Sequence, residues 1–175
     1  MSVPRWPALP DIVAEQLALI EAEQEPDEEE DEPQERTDLN TGEVVDGPVT
    51  RPWDLGELVG EFRDAVYGWL DDVVLWFNRC YGWQEHQLIP ACWDDHGGLA
   101  LDLAAVAFGR MDAYATGTPA FVSRWHNEVD DLLRRMATAL GENDGRDCRS
   151  GKHSTPADYV RQGVQRAIEE RSEVS

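Results

Sequence analysis

The sequence predicts an all-α fold: an antiparallel three-helix core, a fourth C-terminal helix and a disordered acidic N-terminal tail. Three observations lead there. Apolar residues recur at three- and four-residue steps over long stretches from Leu55 to Leu140, the period of a helix buried on one face. No stretch alternates apolar and polar residues as a half-buried strand would. Thr-Pro and Gly punctuate the periodic stretches where helices start and stop.

Pro10-Asp11 opens a short helical pattern over 11–24, carried by Ile12, Val13, Leu17 and Ile20, with Asp11 as its expected N-cap. Six consecutive acids follow, Asp27 to Glu32. Self-repulsion and a lack of apolar surface predict disorder over about 25–50. The chain therefore divides into an acidic tail over 1–50, a helical core domain over 51–141, and a loop with a C-terminal helix over 142–175.

The first core helix is expected from Asp54, which with Glu57 resembles a capping box, to about Cys80. Leu55, Leu58, Val59, Phe62, Val66, Trp69, Leu70, Val73, Trp76 and Phe77 form its stripe. An aromatic, proline-containing connection spans 81–97. A second helix runs from about Gly98 through Leu99, Leu103, Val106, Ala107, Met111 and Tyr114 to Gly117, with an alanine content that predicts close packing. Thr118-Pro119 caps the third helix, whose stripe is Phe121, Val122, Trp125, Val129, Leu132, Leu133, Met136 and Leu140. Thr155-Pro156 restarts a fourth helix carrying Tyr159, Val160, Val164 and Ile168.

The formal net charge is −21. Residues 1–50 hold 15 acids and two arginines, whereas 51–141 hold 14 acids and seven arginines. Such a field repels phosphate backbones and anionic lipid, so neither nucleic acid nor membrane is an expected direct partner. A basic protein partner is compatible with it. No apolar run is long enough for a signal peptide or a membrane span. Three cysteines do not make a disulfide framework, and the expected compartment is the cytoplasm.

The chemistry-bearing residues are few. Cys92 and His96 form a Cys-x3-His pair, and Cys148 and His153 a Cys-x4-His pair. Zinc takes four thiolate and imidazole ligands in a tetrahedron, so these four are the candidate ligands of one structural zinc; the alternative is that Cys92 is a small buried residue, His96 a helix cap, and Cys148 and His153 solvent-exposed. His96 would sit at a helix N-terminus, where the positive helix end disfavours the imidazolium and keeps the ligating form. His126, beside Trp125, is the alternative ligand. The same residues on paper allow a thiol enzyme, Cys92 with His96 or His126 as base. No nucleophile elbow or phosphate-binding loop surrounds them, and no catalytic residue is assigned. The adjacent acids Asp71-Asp72 and Asp130-Asp131 read as solvated helix faces, and Asp94-Asp95 as charge at a helix N-terminus.

Trp69-Leu70, Leu88-Ile89-Pro90-Ala91-Cys92-Trp93, His96, Leu99, Leu103, Tyr114, Pro119, Trp125-His126, Arg134-Arg135 and Cys148 through His153 occur in an order that resembles a family of small helical proteins. That family comes from actinobacterial plasmids and integrative conjugative elements. The resemblance covers about 69–155. The sequence departs from the pattern at Ala91, where the family has a second proline, in the two acids before His96, and in a longer loop before Cys148. The resemblance implies a mobile-element accessory role and no particular activity. The leading expectation is a non-enzymatic accessory protein acting through protein–protein contacts. Its alternatives are an acidic regulator or anti-defence factor occupying a DNA-binding partner, and a small zinc-dependent or thiol enzyme.

Overall fold

The computed structural model describes residues 3–24, 50–84, 87–115, 117–140 and 148. Among these residues the regular structure is entirely helical: α1 (Asp11–Gln24), α2 (Gly60–Cys80), α3 (Gly97–Ala115) and α4 (Pro119–Ala139), with a 3-10 turn at Trp93–Asp95 before α3. The expected C-terminal helix and the expected disorder over 25–49 lie outside the described residues.

Helix α2 starts later than the capping-box pattern predicts. Residues 51–57 form successive turns, with the Asp54 amide bonded to the Arg51 carbonyl and the Glu57 amide to the Asp54 carbonyl. Gly60 then takes φ +56°, a left-handed geometry that glycine adopts without a Cβ penalty. The helix opens only there, with Val59 as its N-cap. Leu55 and Leu58 are nevertheless buried, so their apolar spacing served the core without belonging to the helix. From Phe62 to Phe77 the stripe behaves as its period requires, burying Phe62, Val66, Trp69, Leu70, Val73, Val74 and Phe77.

Helices α3 and α4 form an antiparallel hairpin. Gly117 at φ +68° turns the chain, Thr118 is the N-cap, and Pro119 occupies the first helical turn of α4. Ala100, Ala104 and Ala107 are buried on α3, and their small side chains let α4 approach. The Trp125 indole N–H donates to the Val106 carbonyl at 2.8 Å. Near the other end of the hairpin, Arg135 pairs with Asp102 at 3.1 Å. Helix α2 packs on α3 through Trp69 against Phe108, with ring centroids 4.7 Å apart.

The N-terminal segment, assigned from sequence to the tail, packs into this core. Val13 is fully buried and belongs to the same apolar cluster as α2, α3 and α4. The Pro10 carbonyl accepts from the Val13 and Ala14 amides, so Pro10 closes the first turn of α1 and Asp11 is its first residue rather than its cap. Buried Gln16 donates to the Thr50 carbonyl at 3.0 Å, which fixes where the chain returns to the bundle. Among the described residues no helix is long and apolar enough to cross a membrane.

Candidate metal centre

The loop between α2 and α3 is held by side chains of α2. Asn78 clamps Ile89 from both sides, its amide donating to the Ile89 carbonyl at 2.9 Å and its oxygen accepting from the Ile89 amide at 2.8 Å. Gly82 runs so close that an added Cβ would sit 2.4 Å from the Asn78 carbonyl oxygen and 2.4 Å from Leu88 Cδ2. Trp93 is the largest anchor. Only 2% exposed, it stacks on Tyr67 at 5.6 Å and donates its indole N–H to Asp71 Oδ1 at 2.8 Å. Asp71 is therefore more than the solvated charge its sequence context suggests, because it satisfies a donor that burial would otherwise leave unpaired.

Cys92 directly precedes this anchor and His96 follows it by three residues. The 3-10 turn closes through the Asp95 amide to the Cys92 carbonyl and the His96 amide to the Trp93 carbonyl. The His96 carbonyl then accepts from the Ala100 amide at 2.9 Å and starts α3. A tight turn joined to a helix start thus brings Cys92 and His96 to one side, as their spacing anticipated.

Cys148 joins them. Its Sγ lies 3.3 Å from His96 Nε2, and Cys92 Sγ lies 3.7 Å from the same nitrogen. The three donor atoms all lie within 4.8 Å of one another, and each residue is half-buried. With Zn–S near about 2.3 Å and Zn–N near about 2.05 Å, a tetrahedral angle puts sulfur and nitrogen about 3.6 Å apart. The two observed separations straddle that value, so the cluster can hold a metal ion. Burial, and then the neighbouring Cys148 thiol, push the Cys92 thiol up to about 11. Without a cation the site keeps the Cys92 proton, and a metal binding there must displace it.

His153 lies outside the described residues. His126 does not join the cluster. Its Nδ1 shares a 2.7 Å hydrogen bond with the Tyr81 hydroxyl, and its ring packs against Trp125 at 5.1 Å. The Tyr81 phenol is pushed up to about 12, by burial first and then by Tyr114. Of the other acids singled out, Asp131 pairs with Arg134 one turn along α4. Asp94 and Asp95 lie in the 3-10 turn, one residue outside α3.

Sequence reasoning missed Asn78, Asp71 and Trp6. Asn78 and Asp71 lie off the apolar stripe and carry no local signal. Trp6 carried one: a lone large aromatic between Pro4 and Pro7 is an unusual occupant of a solvated tail.

No known protein family matches this chain, and no curated protein or solved structure matches it either.

Proposed function

We propose that the chain is a non-enzymatic accessory protein that works through protein–protein contacts, with a structural zinc stapling its C-terminal segment to the helical bundle. Cys92, His96 and Cys148 are three of the ligands and His153 the fourth. The observation that carries this reading is the convergence of two thiols and an imidazole from positions 52 residues apart, at separations a tetrahedral ion fills. A structural role suits the donor set, because a loop with few apolar residues gains its fixation from the metal.

The chemistry of the site supports the non-enzymatic part. As a zinc ligand the Cys92 thiolate is committed to the metal rather than free to attack a substrate. His126, one of the two bases that could serve it, bonds Tyr81 instead. The mobile-element setting rests on the residue pattern alone, of which Trp69, Leu70, Trp93, Leu99, Leu103 and Trp125 lie in the core and Cys92, His96 and Cys148 in the metal cluster. A basic partner fits the acidic surface.

Native mass spectrometry of the untagged protein, with elemental zinc quantified on the same sample, tests the reading. One zinc per chain is expected, retained in His126→Ala and lost in Cys92→Ser and Cys148→Ser. A metal-free protein after purification in zinc-containing buffer would overturn it. The contribution of the acidic segment is read by replacing 25–49 with a Gly/Ser linker of equal length, a change that leaves the packed residues 3–24 in place. Retained partner binding is expected, with weaker salt sensitivity.

A further inference from the structure

Residues 3–10 meet the bundle as a peptide ligand meets a groove. They are non-helical, and Pro4, Pro7 and Pro10 recur at every third position, the repeat of a polyproline II chain. The Trp76 indole N–H donates to the Pro4 carbonyl at 3.0 Å, and the Trp69 indole N–H to the Pro7 carbonyl at 3.4 Å. Between these two bonds Trp6 inserts edge-on among Trp69, Trp76, Phe77 and Trp125, with ring centroids 4.8–6.3 Å away. The Arg110 guanidinium covers the Trp6 ring at 4.5 Å and the Tyr114 ring at 3.9 Å. Aromatic walls that cradle a proline-rich extended chain are a recurring mode of peptide recognition.

We propose that this groove, formed by Trp69, Trp76, Phe77, Arg110 and Trp125, is a peptide-binding site held in cis by Pro4–Pro10. Its trans ligand is a proline-flanked tryptophan segment, Pro-x-Trp-Pro, of a partner protein, which displaces the chain's own copy. The two indole donors read main-chain carbonyls, and the aromatic wall reads the tryptophan. A basic residue at x, where this chain has Arg5, is favoured by the seven-charge acidic excess of residues 51–141. Tethering keeps the cis copy at an effective concentration of about 1 mM, so a trans peptide with an intrinsic Kd of about 10 µM competes at a disadvantage of about 100-fold.

The test uses the full chain with a specific protease site placed between residues 30 and 45. A fluorescein-labelled peptide of residues 1–24 is titrated, by anisotropy, into the protein before and after cutting. Saturable binding to the cut protein is expected, about 100-fold weaker binding to the uncut protein, and at least 10-fold weaker binding of the peptide carrying Trp6→Ala. Arg110→Gln in the cut protein weakens the wild-type peptide in the same direction. Three results would overturn the proposal: loss of helical circular dichroism on cutting, absence of exchange over a day, or equal binding of the wild-type and Trp6→Ala peptides. The first two make the segment an integral part of the core, and the third removes Trp6 as the recognised side chain.

Discussion

Asp71→Ala removes the acceptor of a buried donor without touching the core. The Trp93 indole N–H points at Asp71 Oδ1 from 2.8 Å, and Trp93 itself is 2% exposed. Deleting the carboxylate leaves that N–H unpaired, which costs about 1–3 kcal/mol. The middle of that range, about 2 kcal/mol, is the expectation for this single bond. For a folded unit of this size, that loss lowers Tm by roughly 5–10 °C. Asp72→Ala is the internal control. The two acids are adjacent on α2 and both exposed, so net charge and helix propensity change alike, yet Asp72 should move stability by less than about 0.5 kcal/mol. Urea unfolding followed by circular dichroism measures both. Because Trp93 sits between Cys92 and His96, Asp71→Ala should also weaken zinc binding in a competition titration with a chromophoric chelator. Equal unfolding free energies for the two variants would refute the reasoning, since they would show that the indole bond contributes nothing beyond a generic surface charge.

Gly82→Ala is expected to destabilise by about 1–3 kcal/mol, because its Cβ would meet the Asn78 carbonyl and Leu88 Cδ2 at 2.4 Å. Gly109→Ala, where nothing lies within 4 Å, should stabilise α3 by about 0.5–1 kcal/mol; thermal melts of the pair read both signs. Trp125→Ala, which empties a fully buried site and strands the Val106 contact, should cost about 3–5 kcal/mol, measured by denaturant unfolding. Phenolate absorbance near 295 nm should show Tyr81 ionising near pH 12, and Tyr81→Phe should delete that step. Since the folded value lies above the ordinary 10.0, this group's contribution to stability is complete below about pH 10 and is lost as pH rises through about 12.

The long helices were legible because burial on one face of a helix leaves a 3.6-residue signature, and α2, α3 and α4 each keep it. The Thr118-Pro119 start was legible because its chemistry is local. The start of α2 was not. Leu55 and Leu58 continue the apolar spacing into a run of turns, and only the backbone at Gly60 shows the break. The pairing of Cys92 with His96 follows from a turn that the short spacing itself favours. The approach of Cys148 depends on tertiary structure, as does the loss of His126, the alternative ligand, to its bond with Tyr81. Trp6 was hidden for a different reason. Its partners are contributed by α2, α3 and α4, and a proline-spaced segment with no apolar helical face says nothing about which surface will receive it.

That arrangement has a consequence for synthesis. Trp6 leaves the ribosome before its partners: Trp76, which bonds Pro4, lies 72 residues after that proline, and Trp125 follows later still. At about 5–20 residues per second, the N-terminal segment waits several seconds beside an incomplete bundle with Trp6 and Val13 uncovered. The run of acids directly behind it emerges next and repels neighbouring copies during that interval. The charge that looks excessive for the finished protein is well placed to keep the nascent chain from sticking before α4 arrives.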